Sequence, residues 1–314
     1  MTRCSAASTC FRRTYLEQRQ LGKTGLTVSV VGLGGAEIGY EAATQSVVDR
    51  IVRLAIDNGV DVLDTAECYV DSEEKLGRAL AGVRDRFCLF SKCGHASGLP
   101  FQDWTPQVIA ASIDRSLQRL KTDYLDLIQL HSCSAAVLRA GEVINALNKA
   151  RDAGKVRFVG YSGDSRDALA AIETGAFDTL QTSINLADQE AITLTVPKAQ
   201  TRGMGVIAKR SLANAVWKYS ERPSNGYHET YWERLQEINY LFLLTSALPD
   251  SLATALRFTL SVPGVSMAIV GTKSDERWAQ TLSFAEPATL PQSQYEYIRQ
   301  VWEDRASPDW HGQV

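Results

Sequence analysis

"RFCLFSK" (residues 86–92), "TPQVIAASIDRSLQRL" (105–120) and "YLDLIQLH" (124–131) follow one another in the first half of the chain, and their order decides the fold. The two flanking segments are short and mostly apolar, the pattern of strands covered on both faces. Between them, apolar residues recur at helical spacing behind Thr105 as N-cap and Pro106 at the first helical position. Strand, helix and strand in succession are the unit of a parallel sheet.

The same alternation runs outward in both directions. Upstream, "LTVSVVGLGG" (26–35) reads as one buried strand ending in Gly32, Gly34 and Gly35. A helical pattern through Val47, Val48, Ile51, Leu54, Ala55 and Ile56 stops at Gly59. "VDVLDTA" (60–66) is a second buried strand, and "SEEKLGRAL" (72–80) a helix with Ser72 as its expected cap. Downstream come helix 135–153, strand "VRFVGYSG", helix 165–174, strand "TLQTSIN", a helix near 189–202 and strand "GVIAKR". A long polar and aromatic insertion precedes helix 250–261, strand "SMAIVG" and helix 274–284. Eight strand-then-helix units predict a (β/α)8 TIM barrel, a single domain over 19–314 with a long loop after strand 7 and an untethered tail over 1–18. An open doubly wound sheet fits less well, because "GLGG" lacks the full GxGxxG fingerprint.

Composition narrows the function. The 314 residues are 45% hydrophobic and carry a net charge of -3 with both signs interspersed, which offers no basic stripe for nucleic acid and no polybasic arm for an anionic membrane. No apolar run approaches the roughly 20 residues needed to cross a bilayer. Six cysteines, at 4, 10, 68, 88, 93 and 133, form no CxxC pair and read as reduced thiols, so the expected location is cytoplasmic. The first sixteen residues carry Arg3, Arg12 and Arg13 and no acid, a weak likeness to a transit segment. Small-molecule chemistry is the expectation.

A barrel places its site at the C-terminal ends of its strands. Polar residues interrupt the apolar strands at that end: Asp64 with Tyr69 just beyond, Lys92, His131, Ser162 and Gln181. A phenol is a poor acid at neutral pH. A nearby ammonium is expected to lower its pKa, a carboxylate to hold that ammonium, and a neutral imidazole to orient a carbonyl oxygen. Together the four make a proton donor aimed at a carbonyl group.

"DTAECY", "SEEKLGRAL", "SKCG", "SIDRSLQRLKTDYLDLIQLH" and "IVGTKS", in that order, closely resemble the aldo-keto reductases over residues 19 to about 285. The resemblance implies hydride transfer from a nicotinamide cofactor to an aldehyde, ketone or sugar-like substrate. It implies the tetrad Asp64, Tyr69, Lys92 and His131, with Tyr69 as general acid. It also implies cofactor contacts at Gly34, Gly35, Asp64, Ser162 and Gln181, and along strand 7 and beyond at Lys209, Arg210, Ser211 and Leu212. After strand 8 it adds Gly271, Thr272, Lys273, Arg277 and Gln280. Lys273 and Arg277 suit a 2'-phosphate, which favours NADPH, with NADH as the other possibility. Four positions depart from the family: Gly163 replaces an Asn, Lys209 a stacking Tyr, and Gln280 and Thr281 a Glu and an Asn. Trp104 and Trp217 are the expected aromatic walls of the substrate pocket, the latter within an insertion that also holds Tyr219, Tyr227, Tyr231 and Trp232. These insertion rings serve equally well to pack the loop onto the barrel.

Two rival readings compete. A metal-dependent barrel hydrolase would use Cys68, Cys93, His95, His131 and Cys133, whose spacings fit no finger or ribbon, so no metal is expected. A catalytically weak barrel that senses nicotinamide or binds a partner would keep the fold and lose the turnover.

Overall fold

The computed structural model describes residues 16–313. The expected tail falls largely on residues 1–15, outside the described residues, as do Cys4 and Cys10. Leu16 is buried, and a short antiparallel hairpin of Gln18–Gln20 and Thr27–Ser29 comes first. Eight parallel strands then close into a barrel: β1 (Val31–Gly34), β2 (Val62–Asp64), β3 (Cys88–Cys93), β4 (Leu125–His131), β5 (Val156–Ser162), β6 (Thr179–Ser183), β7 (Gly205–Lys209) and β8 (Val265–Gly271). β8 pairs with both β7 and β1, which completes the ring.

The continuous strand expected over 26–35 is two elements. The chain turns at Ser29, whose backbone N–H donates to Asp61 Oδ1 (2.8 Å) and whose hydroxyl donates to the Val31 carbonyl (2.8 Å). The hairpin therefore crosses the N-terminal end of the barrel. Leu21 and Val28 are fully buried there, packed with Val62, Phe90, Leu127, Ile207 and Met267 from the barrel interior. Gly22 makes this approach feasible: its φ is +54°, and a Cβ would run into the backbone of Gly205 at the start of β7.

Helices cover the outside: α1 (Gln45–Asp57), α2 (Ser72–Ala79), α3 (Pro106–Leu120), α4 (Glu142–Asp152), α5 (Ser165–Thr174) and α6 (Val196–Thr201). Thr105 caps α3 as expected, accepting from Val108 N at 3.3 Å. Ser72 does not cap α2, since Asp71 holds that position and the Ser72 hydroxyl pairs with Thr65 Oγ1 at 3.0 Å. The helix expected over 135–153 breaks at Gly141 (φ +74°) into Ala135–Ala140 and α4.

The insertion after β7 is mostly helical rather than a loop, with a 3-10 segment (Ala213–Lys218), α7 (Gly226–Ile238) and a short helix Leu241–Thr245 before α8 (Leu248–Ser261). α9 (Asp275–Phe284) and α10 (Gln292–Arg305) follow. Val216, Tyr231, Leu235, Ile238 and Tyr240 from this region build a second core with Leu186, Phe258, Ile298 and Trp302. Among the described residues, no helix is long and apolar enough to cross a membrane.

Candidate active site

Register brings the polar strand ends level. Gly271, Gly34 and Asp64 pair across β8, β1 and β2, while His131, Ser162 and Gln181 pair across β4, β5 and β6. All eight strands run the same way, so these groups share the C-terminal mouth.

Asp64 and Lys92 form a buried ion pair, Nζ to Oδ2 at 2.5 Å, and Lys92 also donates to the Thr65 carbonyl at 2.9 Å. The other carboxylate oxygen of Asp64 accepts from Gln181 Nε2 (3.1 Å) and Gln129 Nε2 (3.2 Å). A buried charge pair is tolerable when its remaining lone pairs are satisfied in this way. Ser162 Oγ donates to Gln181 Oε1 at 3.0 Å, so the two residues expected to hold a carboxamide belong to the same network as Asp64. Gln129 was not legible as a site residue, because it stands inside an otherwise ordinary apolar strand.

Tyr69 and His131 lie beside this pair. Lys92 Nζ is 5.2 Å from the centre of the Tyr69 ring, and the Tyr69 and His131 rings meet edge-on at 5.7 Å. The expected lowering of the phenol pKa by Lys92 is not found. Burial, then the charge of Asp64, push the Tyr69 hydroxyl well above the usual phenol range. Burial and then Lys92 hold the His131 imidazole well below its ordinary value, so it is neutral at pH 7. His95 stands edge-on to both His131 (5.6 Å) and Trp104 (4.8 Å), which places Trp104 beside the tetrad. Trp217 is tied elsewhere: its indole donates to Ser251 Oγ of α8 at 3.0 Å and its ring packs on the second core. Tyr231 is fully buried in that core and Trp232 donates to the Tyr219 carbonyl, while the side chain of Tyr227 lies outside the described residues.

The departures acquire physical reasons. A Cβ at Gly163 would stand 2.6 Å from the Tyr161 ring, whose hydroxyl donates to the Cys133 carbonyl, so no Asn fits this backbone. Lys209 points to Asp164, Nζ to Oδ2 at 2.8 Å, with Thr182 and the Ser183 backbone N–H also bonded to Asp164. Arg210 donates to Ser183 Oγ (2.9 Å) and to the Gln313 carbonyl, and Ser211 is buried against β8 with half-buried Leu212 beyond it. Asp164 and the C-terminal segment were invisible as partners in the sequence, since both contacts join positions remote along the chain.

After β8, Thr272 and Ser274 shape the N-terminus of α9. Ser274 caps it by accepting from Arg277 N at 3.3 Å, and Lys273 forms an exposed pair with Glu41 at 2.9 Å. The Arg277 and Gln280 side chains face solvent, whereas Thr281 is buried. Gly34 and Gly271 are closely packed, with Ile269 against the first and the Glu37 carboxylate over the second; Gly35 lies against Ser72 and Thr65. Among the described residues, no three His, Cys, Asp or Glu side chains form a group that could hold a metal ion, and Cys93 and Cys133 are buried in the outer core.

A closed parallel barrel with one convergent polar cluster at its C-terminal mouth defines a (β/α)8 enzyme scaffold. Residues 30–303 match the model of the aldo/keto reductase family, and the chain belongs to that family. It is 32% identical to the L-galactose dehydrogenase of Arabidopsis thaliana over 64% of this chain and 66% of that protein. It is 34% identical to the 6-dehydroglucose reductase of Novosphingobium aromaticivorans over 49% of this chain and 54% of that one, so these matches span less than two thirds of the relatives' lengths. The holo form of an aldo-keto reductase from Bacillus halodurans superposes with a TM-score of 0.78 at 24% identity, covering 91% of this chain and 96% of that one, which supports the fold.

Proposed function

We propose that this chain is an NADPH-dependent oxidoreductase that reduces the carbonyl of an aldehyde, ketone or sugar-like substrate, with Tyr69 as general acid. The observation that carries the reading is the juxtaposition of Tyr69, neutral His131 and the Asp64–Lys92 pair at one barrel mouth. The sugar-directed names of the two relatives support a polyhydroxylated substrate.

The residues present suit a nicotinamide cofactor at two places. Ser162 and Gln181 offer a hydroxyl and an amide for a carboxamide, and the N-terminus of α9 with Lys273 offers backbone donors and a cation for a phosphate. Exposed Lys273 pairs with Glu41 only at the surface, so a phosphate displaces that partner at small cost. When bound, the reduced nicotinamide supplies a hydride to the carbonyl carbon. Tyr69 holds its proton until charge develops on the carbonyl oxygen, then transfers it, since an alkoxide is far more basic than even a buried phenolate. His131 donates a hydrogen bond to the same oxygen, and Lys92, fixed by Asp64, balances the phenolate left behind.

The test is Tyr69→Phe, assayed by NADPH oxidation with a panel of aldoses and aldehydes while cofactor binding is followed by fluorescence. Loss of about 10²- to 10⁴-fold in kcat with cofactor affinity unchanged is the expected result. Equal turnover by parent and variant removes Tyr69 from the chemistry. Tight binding with no turnover by the parent favours the sensing barrel, in which the Asp164–Lys209 pair stands where a stacking ring would be.

A further inference from the structure

Cys68 lies next to Tyr69 in the loop after β2, and nothing in the chemistry above uses it. Its Sγ is 3.4 Å from Nδ1 of His131, within hydrogen-bond reach for sulfur. Two backbone hydrogen bonds and one from a phenol hold the loop that carries Cys68. Tyr69 N donates to the Ala66 carbonyl (3.1 Å), Ser72 N donates to the Tyr69 carbonyl (2.9 Å), and the Tyr40 hydroxyl donates to the Cys68 carbonyl (3.4 Å).

The direction of the hydrogen bond follows from the two groups. A neutral imidazole has one N–H donor and one bare nitrogen acceptor. Burial and the cations Lys92, Lys209 and Arg210, together with His95, keep His131 neutral. The thiol keeps its proton, because burial and then Glu67 push it up to about 11. Sulfur is a weak acceptor and a bare imidazole nitrogen a strong one, so the stable arrangement is S–H donating to Nδ1. The single proton of the imidazole then resides on Nε2.

We propose that Cys68 is a positioning residue whose thiol donates to His131 Nδ1 and fixes the ring as the Nε2–H tautomer, the form that donates from Nε2 to a carbonyl oxygen. The catalytic consequence rests on the reductase reading; the tautomer does not. An acceptor or apolar residue at 68 would leave the ring free to carry its proton on Nδ1, turning Nε2 into an acceptor that repels a carbonyl oxygen.

Histidine 15N NMR separates the two. The chain has four histidines, and comparison with His131→Asn assigns the relevant signals. The parent is expected to show a protonated Nε2 and a bare Nδ1, and Cys68→Ala an averaged pair of nitrogens. In turnover, Cys68→Ala is expected to lower kcat about three- to tenfold, the scale of one modest hydrogen bond, with KM for the cofactor unchanged. A parent protonated on Nδ1 overturns the proposal, as does a Cys68→Ala protein that keeps the parent's tautomer. The spectra do not require turnover, so a failed tautomer and a failed reductase reading are told apart.

Discussion

At the scale of the residue, the site depends on a buried charge pair whose parts cannot be removed singly. The Lys92 and Asp64 side chains are 2% and 5% exposed, and the groups hydrogen-bonded to the pair are a carbonyl and two amides, all neutral. Replacing Lys92 by Met leaves a carboxylate held only by two amides, a loss of about 3–5 kcal/mol. Adding Asp64→Asn removes the stranded charge. The double variant is therefore expected to unfold at higher urea than Lys92→Met alone, and simple addition of the two single effects would mean the residues are not coupled. Asp64, Lys92 and His131 were legible because each interrupts an apolar strand at its end. Gln129 and Asp164 were not: the first has the alternation of a barrel-interior position, and the second acquires its meaning from Lys209, 45 residues later in sequence numbering and adjacent only in space.

At the scale of the element, alternation of strand and helix carried the barrel, since buried parallel strands and amphipathic helices have distinct periods. It failed where a long-range contact cuts a uniform run. Nothing local in residues 26–35 marks a break, yet Asp61 turns the chain at Ser29 and makes the preceding segment a plug. The insertion misled for the opposite reason: its Ser, Pro, Asn and Gly residues read as loop, while the rings beyond them form α7 and a second core. The plug's worth is measurable. Leu21→Ala removes a fully buried side chain from the barrel floor and is expected to cost about 2–4 kcal/mol, seen as a lower urea midpoint at constant m. Leu244→Ala, at a position 71% exposed, is expected to stay within about 0.5 kcal/mol. Similar costs at both positions would show that Leu21 does not fill the floor.

At the scale of the whole molecule, one carboxyl ties together the loop after β6, α7 and the C-terminal segment. Asp188 accepts from Tyr231 Oη and from Gln313 N, both at 3.2 Å, with the Arg234 guanidinium 3.9 Å away. Around it, Gly312 N donates to Glu190 Oε2 (2.8 Å) and Arg234 to the His311 carbonyl (2.8 Å), so residues 311–313 are strapped beside the barrel mouth. Burial, then the charge of Asp164, raise Asp188 from its ordinary 3.8 to about 7. The folded protein therefore binds a proton there between about pH 4 and 7 that the unfolded chain has released. By linkage, the slope of unfolding free energy with pH is negative across that window. The stabilisation is fully present below pH 4 and lost as the pH rises through 7, on the order of a few kcal/mol in total. Asp188→Asn carries no titrating proton, so its stability relative to the parent is expected to rise steadily from pH 4.5 to 7.5. Other buried acids, such as Glu37 and Glu73, bend both curves alike, and the difference between parent and variant isolates Asp188. Parallel curves would mean that this carboxyl is already ionised across the window, held so by Arg234 and the Gln313 N–H, and that the strap is fastened by a standing charge rather than by a proton.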